Sequence, residues 1–121
     1  MEIIFKPIFL SVFLTLTSCV TNQNISKIYV EDFQTNDINV CKPSDVDLNN
    51  YEAEQFFSRS RKVEYKIIHD HYNVAPCYLE GVLTYNEKIC EWKIQASSIG
   101  SIKCNDEVMH YVCDSCEGLF N

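Results

Sequence analysis

Cys113-Asp114-Ser115-Cys116 is a CxxC motif, and His110 stands three residues before it. In thiol oxidoreductases such a pair opens a helix whose dipole lowers the pKa of the first thiol. Only Glu117 to Asn121 follow it here, too few for a helix, so a structural disulfide is expected. Zinc wants four ligands, commonly two CxxC-like halves. A single CxxC with one nearby histidine is half of such a site. His69-Asp70-His71 is the second candidate. On a strand the two imidazoles share a face and Asp70 points away. With His110 as a third ligand they would chelate copper or zinc, and otherwise they form a solvent-facing strand end. Glu64, Glu80 and Glu91 offer carboxylates for acid–base work, at spacings typical of a wet sheet face. No GxSxG, HExxH or glycine-rich phosphate loop is present. The sequence therefore predicts a non-enzymatic protein with no metal or cofactor.

These residues need a scaffold, and the hydrophobic pattern outlines one. Pro43-Ser44-Asp45-Val46-Asp47 signals a helix start, with Ser44 or Asp47 as cap. The helix is expected over 48–59, with Ala53, Phe56, Phe57 and Ser60 on its core side. After Arg61 the pattern alternates: Val63, Tyr65 and Ile67 oppose Lys62, Glu64 and Lys66, which predicts a half-buried strand. Strand-like runs follow over 77–85, 88–96, 99–104 and 107–113, with Asn86-Glu87 and Asn105-Asp106 as turns. The expected class is α+β: one N-terminal helix, then a four- to five-stranded antiparallel meander stapled by disulfides. A turn at Ala96-Ser97-Ser98 would set Trp92 opposite Ile102 and Cys90 opposite Cys104. Opposed residues at a non-hydrogen-bonded pair lie about 4.5 Å apart, within disulfide reach. Tyr65, Tyr72, Tyr78, Tyr85, Trp92 and Tyr111 are many aromatics for one small sheet. Some fill the core, and any left exposed would suit a protein interface.

The beginning of the chain has a different character. Lys6 is followed by an apolar run from Ile8 to Leu16 and then by Thr17-Ser18-Cys19. The run is shorter than the roughly 20 residues of a membrane-spanning helix. A basic start, a short apolar middle and small residues at the cut describe a secretory signal. The order Leu16-Thr17-Ser18-Cys19 resembles the lipobox of bacterial lipoproteins. That resemblance covers residues 1–19 and implies cleavage before Cys19, which takes a diacylglycerol thioether and becomes the mature N-terminus. More than one acyl chain gives stable anchoring. Val20 stands where lipoproteins retained at the inner membrane carry Asp, so the resemblance implies the outer membrane, facing the periplasm. The expected organisation is a signal peptide over 1–18, lipidated Cys19 with a flexible tether to residue 40, and a disulfide-bonded domain over 41–121. Within the tether, Ile28-Tyr29-Val30 could pair as an edge strand.

Lipidation also resolves the cysteine count. Of seven cysteines, assigning Cys19 to lipid leaves Cys41, Cys77, Cys90, Cys104, Cys113 and Cys116. In a small exported domain six cysteines read as up to three disulfides. Cys90–Cys104 follows from the strand register, and the pairing of the other four stays open. The net charge of −7 survives cleavage, because the leader holds one acid, Glu2, and one base, Lys6. That charge repels nucleic acid and anionic lipid and favours a basic protein partner. A second, looser resemblance rests on Phe56-Phe57, Ala75-Pro76-Cys77-Tyr78, Glu80-Gly81, Cys90-Glu91-Trp92-Lys93-Ile94 and Tyr111-Val112-Cys113. These look like landmarks of small exported bacterial proteins of unassigned activity, over about residues 41–116, and imply no site residue.

The function expected is that of a lipid-anchored binding or structural module of the cell envelope. Its specific version neutralises a basic toxin or cell-wall hydrolase, as immunity and lysozyme-inhibitor lipoproteins do. The alternative is a periplasmic metal-binding or thiol-redox protein using His69, His71 and His110, or Cys113 and Cys116.

Overall fold

A computed structural model describes residues 24–73 and 75–120. The leader and Cys19 lie outside the described residues. The elements are β1 (Ile25–Thr35), α1 (Asn50–Arg59), β2 (Arg61–Val63), α2 (Tyr65–His71), β3 (Cys77–Tyr85), β4 (Lys88–Gln95), β5 (Ile99–Cys104) and β6 (Glu107–Val112). The described strands form one antiparallel sheet in the order β1-β3-β4-β5-β6-β2.

The meander from β3 to β6 follows its alternation closely. Cys77, Leu79, Gly81 and Leu83 are buried along β3, and Cys90, Trp92 and Ile94 along β4. Trp92 faces Ile102, and Cys90 is bonded to Cys104 across 4.7 Å between Cα atoms. Asn86 and Glu87 both take positive φ, 50° and 68°. Two such residues let a tight hairpin match the twist of its strands.

Helix α1 covers this inner face. Asn49 caps it reciprocally with Glu52: each side chain accepts the other's backbone N–H, at 2.8 and 3.0 Å. Ser44 and Asp47 are not its cap, because Pro43–Val46 is a separate 3-10 turn. Ala53, Phe56, Phe57 and Ser60 are buried, as their spacing predicts. Phe57 meets Trp92 and Tyr111 edge-on, with centroids 6.0 and 5.5 Å away. Burying a Phe side chain contributes about 1.5–3 kcal/mol, so the two phenylalanines bind α1 to the sheet. Gly100 leaves room for them: a Cβ there would approach Phe56 to 2.7 Å.

Three expectations are corrected. The helix is not N-terminal and the strands number six, because the expected tether contains β1. The edge strand expected at 28–30 is there, but register shifts at Ser26/Tyr29 and Val30/Asp32 break its alternation and hide its full eleven residues from a period-two reading. The strand expected through Val63, Tyr65 and Ile67 stops at Val63. Tyr65–His71 is a second helix, because Ile68 with Tyr72 satisfies helical spacing equally well. Ile68 packs with Ile99 and Val112 in a small core on the outer face of the sheet.

Three disulfides staple the fold: Cys41–Cys77, Cys90–Cys104 and Cys113–Cys116. The first ties the loop after β1 to the start of β3. The last closes a short turn after β6, and both its cysteines are buried.

Candidate functional site

The two faces of the sheet are covered unequally. Helix α1 and the main core close the inner face, whereas α2 covers the outer face only over β5, β6 and β2. The outer surface of β1, β3 and β4 remains open, and alternation alone decides what it displays: Tyr78, Glu80 and Val82 from β3, and Ile89, Glu91 and Lys93 from β4.

Carboxylates gather there. Glu31, Glu80 and Glu91 line one groove of about 170 Å³, with Val82 and Lys93. Asp32 sits directly across from Glu80 in the β1–β3 register. Like charges so opposed repel. Gln34 relieves this: its amide donates to Asp32 Oδ2 at 2.9 Å and to Glu80 Oε2 at 3.2 Å. The irregularity at Val30/Asp32 lets successive residues, Glu31 and Asp32, both contribute to this cluster. Lys93 is opposite Glu80 on β4, and its ammonium rests 4.8 Å from the Tyr78 ring centroid. Glu80 and Glu91 lie on the wet sheet face that their spacing predicts; Glu31, Asp32 and Gln34 fall in the stretch that reads as tether and belong to β1 instead. Glu64 lies apart, at the start of α2.

A second recess of about 310 Å³ lies beside α2, lined by Tyr65, Ile68, Lys93, Gln95, Ser101 and His110 among others. Tyr65 projects from α2 between His110, 5.3 Å away by ring centroids, and His69, 6.2 Å away. Burial pushes the His110 imidazole below its ordinary range and so favours the neutral ring.

The histidines do not converge. His69 and His71 lie on a helix, where residues two apart point to opposite sides, so they do not form the expected strand pair. His69 instead contacts Asp70 at 3.2 Å, and Lys66 reaches the same carboxylate at 2.6 Å. Both contacts, that of Lys66 being the stronger, hold Asp70 below the usual carboxylate range. Among the described residues no group of three or more His, Cys, Asp or Glu is placed to hold a metal ion.

The CxxC motif takes part in a different device. Asp114, inside the disulfide loop, accepts from Arg61 Nε and from the Tyr72 hydroxyl, each at 2.9 Å. Arg61 also donates to the Tyr72 oxygen at 3.0 Å. This exposed triangle joins β2, the end of α2 and the Cys113–Cys116 turn. Arg61, then Tyr72, lowers the pKa of Asp114.

Among the described residues no helix is long and apolar enough to cross a membrane. No family model, curated protein or solved structure matches the chain.

Proposed function

We propose that this is a lipid-anchored, non-enzymatic binding module of the bacterial cell envelope, tethered through Cys19, which neutralises a basic protein partner. A cationic toxin or cell-wall hydrolase fits the compartment the leader implies. The observation that carries the reading is the convergence of Glu31, Asp32, Glu80 and Glu91, with the cation Lys93 among them, on the open outer surface of β1, β3 and β4. Gln34 holds two of these carboxylates side by side without neutralising either. A Lys or Arg side chain from a partner would supply charge-assisted hydrogen bonds to them. The net charge of −7 adds long-range attraction that speeds encounter. Three disulfides and two covering helices make the face rigid, which reduces the entropy lost on binding.

The test mixes the purified mature protein with cationic muramidases and cationic toxin domains of envelope origin, at low and at physiological salt. Expected are a one-to-one complex, loss of the partner's activity, and weakening as salt rises. Glu80→Gln with Glu91→Gln should lower affinity at least tenfold while leaving the thermal midpoint unchanged. If no cationic partner binds, or if binding is indifferent both to salt and to the double substitution, the reading is wrong.

A further inference from the structure

The described part of the chain begins at one end of the sheet, and that end carries its most exposed large apolar side chain. The Asn24 carbonyl accepts from the Asn86 N–H at 3.2 Å, and Ile25 pairs with Tyr85. The chain therefore arrives at the β3–β4 turn. Ile89, just past that turn, is 81% exposed, and Tyr29 beside it is 55% exposed. With Lys27, Val82, Thr84 and Glu87 they line an open groove of about 550 Å³. Ile89 is one residue beyond Lys88, which is opposite Tyr85. It lies about 10 Å from Ile25, two strand spacings across the sheet.

We propose that this groove and its rim rest against a lipid surface when the protein is anchored. The inference depends on acylation of Cys19, the reading given above. Five residue steps separate Cys19 from Asn24. Fully extended they span at most about 18 Å. An acylated Cys19 lies at the headgroup boundary, so the tether cannot carry the β3–β4 turn far above it. The chemistry of the patch fits that depth. Ile89 and Val82 supply apolar area, Tyr29 is an amphipathic ring of the type that settles at membrane interfaces, and Lys27 and Glu87 cancel in charge. The matching surface is a zwitterionic headgroup layer. Exposed Ile38 and Val40 lie at the opposite end, beyond Thr35 and next to the Cys41–Cys77 bridge, and face away from that surface. In this orientation the acidic groove opens sideways above the membrane, where a soluble partner reaches it.

The experiment uses the full chain, expressed with its own leader in a diderm bacterial host and reconstituted into phosphatidylcholine vesicles with brominated acyl chains. Two variants carry the probe, Ile89→Trp and Val40→Trp; Trp92 is buried and gives a constant background. The expected result is a blue-shifted Ile89→Trp emission, quenched at least twofold by the brominated lipid, with Val40→Trp unquenched. The intact mass of each sample reports acylation separately. Acylated protein with Ile89→Trp unquenched, or with both variants quenched equally, overturns the docking but leaves the anchor standing. An unmodified Cys19 removes the anchor, and with it the tether argument.

Discussion

Gly81 and Trp92 face each other across β3 and β4, and the indole occupies the space where a side chain at 81 would begin. A Cβ on Gly81 would lie 2.8 Å from the ring and 1.9 Å from the Tyr29 carbonyl oxygen. The irregular backbone of β1 closes over one side of the glycine, and the indole closes the other. Trp92 Nε1 donates to the adjacent Val82 carbonyl at 3.0 Å, which fixes the ring in that slot. The position demands absence of a side chain rather than unusual backbone angles.

Gly81→Ala should therefore destabilise the domain by about 2 kcal/mol or more, the upper part of the range for overpacking a core. Gly118→Ala is the control, since beyond its own stretch of backbone nothing lies within 4 Å of a Cβ there. Urea denaturation of the two variants compares them directly. A Gly81→Ala midpoint equal to wild type would mean that β1 is not seated as described.

The three bridges should differ in worth according to the loop each closes. The sequence separations are 36 for Cys41–Cys77, 14 for Cys90–Cys104 and 3 for Cys113–Cys116. Loop-closure entropy then assigns about 4, 3 and 2 kcal/mol in that order. Paired Cys→Ala variants, unfolded in urea without reductant, test the ranking. Loss of Cys113–Cys116 costing most would point to a role for that turn beyond chain entropy.

Asp114 makes stability sensitive to acid. Its pKa is lowered by Arg61 and then by Tyr72, so its contribution is present above the unfolded value near 3.8 and is lost as pH falls through the folded pKa. Asp70 behaves alike through Lys66 and His69. Both sites are exposed, so each effect is small. Asp114→Asn should shallow the fall in urea midpoint between neutral pH and the acid limit. An unchanged pH profile would show that the triangle with Arg61 and Tyr72 does not persist in solution.

Tyr111 marks the alkaline side. Burial pushes its phenol up to about 12. A folded pKa raised above the unfolded one gives stability that is complete below the unfolded value and fades as pH rises through the folded one. Near-ultraviolet titration should show Tyr111 as a late step, delayed until the domain unfolds. In Tyr111→Phe that late step should vanish.

His110 reports on the recess beside α2. Because burial lowers its pKa, its imidazole signals should titrate below 6.5 in nuclear magnetic resonance. Tyr65→Ala removes the tilted ring 5.3 Å away, admits water, and should move the midpoint back up. A midpoint indifferent to Tyr65 would place the desolvation elsewhere.

Sequence reasoning succeeded where one period dominated. From Cys77 to Val112 the alternation admits a single register, and Cys90 opposite Cys104 follows from it. The buried side of α1 was equally plain. It failed where the periodicity was broken or shared. The irregularities of β1 put Glu31 and Asp32 out of alternation, and the run from Val63 to Ile67 fits either period. The acidic groove fell into the first gap. Its residues come from three strands, and only the pairing of β1 with β3 brings Asp32 beside Glu80.

Strand order has a consequence for assembly as the polypeptide emerges, N-terminus leading. Both borders of the sheet, β1 and β2, come before residue 64 in the sequence, and the four strands between them all come after residue 76. Neither border has a hydrogen-bonding neighbour until those later strands arrive, and β2 is paired last, because its partner is the final strand, β6. Closure of the sheet thus waits for β6, and a product cut short before residue 107 keeps one flank permanently vacant.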